Sequence, residues 1–293
     1  MRFAIYSRLM KPRDLPALRN FFQLMQELGV ELTIVQHYYQ QIKGHIRLPK
    51  KTFVFKNYEE LKQQQVDYMI TLGGDGTILD TPMLIRDMEL PIAGVNLGRL
   101  GFLANIEKNK MTDAFTDLIN GSFSLDTRTL LQLESNLPLF EGQNYALNDC
   151  TILKRDTSSM IIVHVYINGE HLNSYWADGI ILATPTGSTG YSLSCGGPII
   201  FPNSNNFIIT AVAPHNLNIR PIVISDDSVV SFQIEGRANS FLCTLDSRFE
   251  PITSEHKIAI KKADFDLKLI RLLDSNFLST IRNKLNWGYD TRN

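Results

Sequence analysis

Residues 73–77 read Gly73-Gly74-Asp75-Gly76-Thr77, three glycines around one acid, directly after the apolar run Val66 to Leu72. Glycine lets a backbone approach a ligand closely and take positive φ. Amides exposed at the carboxyl end of a strand can hold phosphate oxygens. A carboxylate there is a poor phosphate ligand. It suits a base that receives a hydroxyl proton, or a ligand for Mg²⁺ that bridges phosphates. The plain alternative is a tight strand-to-helix turn with a cap-like Asp, and the string GGDGT after an apolar strand weighs against it. Neither GxxxxGK[ST] nor GxGxxG occurs in the chain, which excludes P-loop and Rossmann phosphate binding.

A second loop follows the apolar run Gly179 to Ala183. Residues 178–198 read DGIILATPTGSTGYSLSCGGP, crowded with hydroxyls and glycines. Such a loop supplies neutral donors and a ring for stacking, the groups that hold a base and sugar without repelling phosphates. Asp178 is placed to accept from an adenine amine or a ribose hydroxyl. Asn148-Asp149 joins an amide to a carboxylate between two apolar stretches. That pair suits an adenine edge and a ribose diol, although by itself it reads more often as a turn or cap. GVNLGRLGFLA, residues 94–104, is glycine-punctuated after a strand, with Phe102 as a pocket wall or a core residue. Ser188 lacks the GxSxG elbow of a nucleophile. The six histidines show no HExxH or paired spacing, so no metal site is expected in the protein itself.

These residues need elements to position them. Arg2 to Ser7 reads as a strand, and Leu15, Leu18, Phe22, Met25 and Leu28 mark a helix stopped by Gly29. Strands are expected at Val30–Val35, Thr52–Phe55, Val66–Leu72 and Pro91–Val95. Helices are expected at Tyr58–Gln65, from Thr81 as cap with Pro82 at the first position, and at Met111–Ile119 closed by Gly121. This alternation predicts an α/β domain with a mostly parallel sheet. After residue 123 the pattern turns to β-branched, period-two runs, with Asn168-Gly169 as a hairpin signal. The tail Phe277 to Trp287 is helical again. The expected domains are 1–122 (α/β, carrying GGDGT), 123–270 (β-rich, nucleotide-binding) and 271–293 (a helical tail packing back on the first).

The bulk numbers narrow the class. The 293 residues are 44% hydrophobic and 20% charged, with formal net charge -1, which speaks against disorder and against nucleic acid or an anionic membrane as partner. Three cysteines without a CxxC pair suit a reducing cytosol. No signal peptide and no membrane span are expected, and a cytoplasmic location follows.

Taken together, Gly73–Thr77, Asn148-Asp149, Asp178–Pro198 and Gly94–Leu103 closely resemble the NAD kinase family, in order and over nearly the whole chain. APHNLNIRPIV at 213–223 and KLNWG at 284–288 are weaker matches. The resemblance implies an N-terminal α/β domain, a β-rich C-terminal domain and an active site between them. It implies transfer of a phosphoryl group from a nucleoside triphosphate such as ATP to the 2′-hydroxyl of the adenosine ribose of NAD, giving NADP. Asp75 would be the general base and would contact NAD with Gly76, while Gly73, Gly74 and Thr77 complete the phosphate loop. Asn148 and Asp149 would hold adenosine and ribose, and Thr189, Gly190, Tyr191, Ser192, Leu193 and Ser194 would line that pocket. Asp178 would reach the NAD of a neighbouring subunit in a homodimer or homotetramer. Phe102, Ala213 and His215 match positions near the pocket. Mg²⁺ or another divalent metal would accompany the donor. The chain departs from the family in three places: Asp149 stands for the usual Glu, Gly190 for Ala, and Trp176 for a basic residue. The alternatives are a silent NADP-binding sensor and a lipid or sugar kinase that shares GGDG. A thermal-shift screen separates the last, since NAD or NADP should stabilise the fold and diacylglycerol or fructose 6-phosphate should not.

Overall fold

A computed structural model describes residues 1–98, 101–155, 159–272 and 276–286. The chain forms two compact units, Met1–Thr127 with Leu267–Asn293, and Arg128–Asp266. The first unit opens with β1 (Arg2–Tyr6), α1 (Leu15–Glu27), β2 (Glu31–Val35), α2 (Gln36–Ile42), β3 (Thr52–Phe55), α3 (Tyr58–Lys62) and β4 (Tyr68–Gly73). Next come α4 (Asp75–Ile78), α5 (Thr81–Ile85), β5 (Ile92–Asn96), β6 (Ile106–Glu107), α6 (Met111–Ile119) and β7 (Phe123–Arg128). α1 buries Leu18, Phe21, Phe22 and Met25 and ends before Gly29, which takes φ 68° as a left-handed stop. α6 ends in the same way before Gly121, at φ 73°.

The second unit contains β8 (Leu131–Ser135), β9 (Tyr145–Ala146), β10 (Asp149–Lys154), β11 (Ile161–Ile167), β12 (Glu170–Ala177) and β13 (Gly179–Ala183). A short helix, α7 (Tyr191–Ser194), precedes β14 (Asn206–Val212), β15 (Ile222–Ser225), β16 (Val230–Glu235), β17 (Phe241–Leu245), β18 (Arg248–Ile252) and β19 (Ile258–Lys262). The strands form two antiparallel six-stranded sheets, β15-β14-β13-β10-β17-β18 and β12-β11-β16-β19-β8-β9. Their inward residues, Ile152, Leu182 and Cys243 from one and Leu133, Val163 and Phe232 from the other, share one core. Asn168 and Gly169, both at positive φ, turn β11 into β12 as the hairpin signal predicts.

The chain then returns to the first unit with β20 (Leu267–Leu272) and α8 (Phe277–Leu285). The first sheet runs β3-β2-β1-β4-β5-β20-β7, with β6 beside β5. β1, β2, β3, β4, β5 and β6 pair in parallel, so the sheet is mostly parallel as expected. Its order reverses between β1 and β4. β2 and β3 spread to one side of β1, and β4 and β5 to the other. In open α/β sheets the crevice at the carboxyl ends of such a strand pair is where ligands bind.

Several expectations differ from the structure. The domain limits at 122 and 270 fall inside the first sheet's territory, because β7 and the start of β20 pair there. α2 was not anticipated. Its sequence QHYYQQI is polar, and only Tyr38 and Ile42, four apart, are buried. Thr81 is the first helical residue of α5 rather than its cap. Asp80 precedes it, and Thr81 Oγ1 donates back to Ile78 O at 2.7 Å. α3 stops at Lys62, short of Gln65. Arg99, Leu100 and Trp287, which the expectations covered, lie outside the described residues. Among the described residues no helix is long and apolar enough to cross a membrane.

Candidate functional site

The reversal point of the first sheet holds the glycine loop. Ser7, just after β1, donates its hydroxyl to Leu72 O of β4 at 2.6 Å and ties the two strand ends together. β4 ends at Gly73, and Asp75 and Gly76 begin the single turn of α4. A methyl on Gly73 would lie 2.1 Å from Thr77 Oγ1, so this turn closes only with glycine there. Thr77 is buried beneath it.

Asp75 is held by the backbone of the segment 102–104. Its Oδ2 accepts from Phe102 N at 2.7 Å, and its Oδ1 accepts from Leu103 N and Ala104 N at 3.0 Å each. A methyl on Gly101 would sit 1.8 Å from Asp75 Oδ1. The glycine-punctuated segment after β5 is therefore the cradle of the acid, a pairing the sequence gives no spacing rule for. A carboxylate has about four lone-pair sites. Three are taken by amides, which leaves one acceptor position on Oδ2; Asp75 is half-buried and lies between the cavity-lining Gly74 and Gly76 without itself being part of the lining. Phe102 is half-buried, with Lys284 Nζ 5.8 Å from its ring centre.

A cavity of about 350 Å³ opens on this loop. It is lined by Gly73, Gly74, Gly76 and Thr77 on one side, by Asn96 to Gly98 on another, and by Ser7 to Leu9, Lys11, Arg13 and Asp14 on a third. Arg8, Lys11 and Arg13 were not singled out by motif. Their only sequence signal is three cations within six residues after a strand.

In the second unit Asn148 and Asp149 lead into β10, and their loop is organised by Asp246. Asp246 sits in the turn between β17 and β18 at φ 54°. Its Oδ1 accepts from Asn148 N at 2.7 Å and Asp149 N at 3.1 Å, and its Oδ2 accepts from Leu147 N at 2.8 Å. Burial, then the charge of Asp246, pushes the Asp149 carboxyl up to about 7. Asp246 is pushed up to about 6 by burial, against the three amides and Arg248, which hold it down. Asp246 was missed by sequence reasoning, because a lone Asp in a hairpin turn is ordinarily a turn residue.

The hydroxyl-rich loop stacks on Asn148. A methyl on Gly187 would strike Asn148 O at 2.1 Å. One on Gly190 would lie 3.6 Å from Asn148 Nδ2 and 3.7 Å from Asp149 Oδ2. Two of the departures, Asp149 and Gly190, thus face one another, and the shorter acid and the missing methyl open the same spot. Several of these hydroxyls bond within the protein. Thr184 Oγ1 donates to Leu147 O at 2.6 Å, Ser188 Oγ to Pro185 O at 2.6 Å and Thr189 Oγ1 to Thr186 O at 3.2 Å. Ser192 is buried with its Oγ 2.9 Å from Thr210 Oγ1. They satisfy a buried loop's own backbone and neighbours. Tyr191 and Ser194 stay exposed, and Leu193 is half-buried.

Asp178 pairs with Lys154, Oδ1 to Nζ at 2.6 Å. Ala213, at φ 46°, and His215 are exposed. His215 lines a separate groove with Trp176, Asn173, Ser174 and Asn216 to Ile219, and neither Asn148, Asp149 nor residues 189–194 share that lining. Trp176 is 54% exposed. Among the described residues no group of three or more His, Cys, Asp or Glu is arranged to hold a metal ion.

Residues 17–123 match the ATP-NAD kinase N-terminal domain, and residues 147–272 match the ATP-NAD kinase C-terminal domain. Over its full length the chain is 45% identical to the full-length NAD kinase of Cytophaga hutchinsonii. It is 40% identical to that of Flavobacterium johnsoniae, again over the whole of both chains. Its fold is similar to that of yeast NADH kinase, solved with NADH, at a TM-score of 0.89 and 21% identity over 99% of this chain and 89% of the other. An Archaeoglobus fulgidus NAD kinase, solved in complex with ATP, matches at a TM-score of 0.75 and 22% identity over 98% and 99%.

Proposed function

The chain belongs to the NAD kinase family, and on that premise we propose that it phosphorylates the 2′-hydroxyl of the adenosine ribose of NAD, with Asp75 as the base. A nucleoside triphosphate is the donor. The observation that carries this reading is the Asp75 carboxylate, anchored by three amides at the reversal point of the sheet with one acceptor position left. The ribose hydroxyl donates to Asp75 Oδ2. As its oxygen bonds to the γ-phosphorus, the bond from that phosphorus to the β–γ bridging oxygen breaks. The proton passes to Asp75, and the nucleoside diphosphate leaves.

The second unit's share is adenosine recognition. Asn148 and Asp149, fixed by Asp246, take the adenine edge and ribose diol, and the loop from Thr189 to Ser194 walls the base. Asp178, already neutralised by Lys154, is suited to hydroxyl or amine contacts rather than to charge. A divalent ion such as Mg²⁺, carried by the donor's phosphates, would neutralise their charge. The exposed Trp176 and Leu217, 54% and 85% accessible, suit cover by a second copy in a homodimer or homotetramer. The three thiols suit a reducing cytoplasm.

A coupled assay tests the activity. NADP should form from NAD with ATP, and the same assay run with other triphosphates and with polyphosphate fixes the donor. A protein that bound NADP yet never formed it with any donor would be a sensor, and the reading would fall. Gly101→Ala tests the base's placement. The new methyl overlaps Asp75 Oδ1, and the side chain must swing away. Turnover should drop by about 10²-fold, the scale for a misplacement near 1 Å, and the melting temperature should fall with it, because the displaced carboxylate leaves its three amides. Unchanged turnover would show that the position of the carboxylate does not matter.

A further inference from the structure

The loop after β1 carries an arginine whose orientation is fixed from behind. Tyr6, buried in β1, donates its hydroxyl to Asp80 Oδ2 at 2.8 Å. Arg8 donates to the same carboxylate side-on, through Nη2 to Oδ1 at 2.5 Å and through Nε to Oδ2. The plane of the guanidinium is thereby set, with Nη1 lying against Gly76. A methyl on Gly76 would be 3.2 Å from Nη1, so the guanidinium rests close against the loop. Arg8 forms part of the cavity wall together with Lys11 and Arg13, and among the described residues Asp14 is the one acid in that lining. Asp80 is not in the lining and backs the guanidinium. A surface ion pair of this sort adds little stability by itself. A guanidinium held rigid over a glycine loop is, however, suited to phosphate oxygens through its fixed charge and charge-assisted donors.

We propose that Arg8, clamped by Asp80 and Tyr6 over Gly76, is the cation that grips the phosphate chain of the phosphoryl donor, a role for which this sequence has no P-loop lysine. The assignment rests on the phosphotransfer reading of the glycine loop. Arg8 touches the donor. Asp80 is a positioning residue that acts through it.

The test uses the full chain and two probes, a non-hydrolysable imido analogue of ATP and inorganic tripolyphosphate, titrated calorimetrically. Arg8→Ala should weaken both by about 10–100-fold, the loss of a charge-assisted contact, and leave NAD affinity unchanged. Arg8→Lys should recover part of the loss, since it keeps the charge without the fork. Asp80→Asn should raise KM for ATP with little change in kcat or in KM for NAD. Wild-type affinity for both probes in Arg8→Ala overturns the proposal. So does a loss for the analogue but not for tripolyphosphate, which would place Arg8 on the nucleoside. An equal loss of NAD affinity also overturns it, because it marks a purely structural role. The binding titrations report on Arg8 whether or not NADP is formed, and NADP formation by the wild-type protein reports separately on the phosphotransfer reading.

Discussion

Asp75→Asn should lower turnover by about 10²–10⁴-fold, the range for a positioned general base, and leave NAD affinity nearly intact. The amide cannot accept a proton from the ribose hydroxyl. It also cannot reproduce the carboxylate's contacts. One oxygen can still accept from Leu103 N and Ala104 N, but the amide nitrogen then faces Phe102 N as donor against donor. An unmade contact of that kind costs about 1–3 kcal/mol. A lower melting temperature should therefore accompany the loss of rate. Gly101→Ala keeps the carboxylate's basicity and moves its position, so it tests placement apart from the capacity to take a proton. If Asp75→Asn lost binding and turnover in equal measure, Asp75 would be a binding group. Normal turnover would remove it from the mechanism altogether.

Asp246→Ala should be the second large effect, and it acts at a residue that touches no reacting atom. The three amides of Leu147, Asn148 and Asp149 lose their common acceptor. A destabilisation of about 1–3 kcal/mol is expected, read as a lower denaturant midpoint with unchanged slope. KM for NAD should rise more than kcat falls, because the adenosine-binding pair loses its fixed geometry. Wild-type stability together with wild-type KM would show that the Asn148-Asp149 loop holds itself.

The same carboxylates set a pH dependence. Asp149 stands at about 7 and Asp246 at about 6, both above their values in an unfolded chain. An unfolded chain releases these protons near pH 4, while the fold keeps them until pH 6–7. Between those limits the native state binds more protons than the unfolded one. Stability therefore falls as pH rises from about 4 to about 7 and levels off above. Asp149→Asn should flatten that slope in melting curves. An unchanged slope would show that the pair is not its source.

Much of this was legible in the chain. Runs such as Phe3–Tyr6 and Met69–Leu72, apolar apart from Thr71, are buried on both faces, which is what a parallel sheet requires. GGDGT was readable as a ligand loop because glycine spacing is a backbone property carried by the residues themselves. Asn168-Gly169 gave its hairpin for the same reason. α2 was not legible, because polar QHYYQQI becomes a helix through Tyr38 and Ile42 packing on the sheet. The sequence pattern places β7 and the start of β20 with the second unit, whereas both strands pair in the first sheet. Strand-forming residues do not name the sheet they join, and their partners lie far along the chain.

The sequence alone determined which local chemistry was present: an acid among glycines, an Asn-Asp pair and a loop dense with hydroxyls. Local rules suffice there, because turn geometry and hydrogen-bonding capacity belong to a few adjacent residues. Only the tertiary structure decided what those groups face. It turned the hydroxyls of Thr184, Ser188 and Ser192 inward, set the amides of 102–104 on Asp75, brought Asp246 to a loop about a hundred residues away, and laid Arg8 on Gly76. Contacts between distant segments depend on sheet order and register, which follow from the packing of the whole core and not from any short stretch of it.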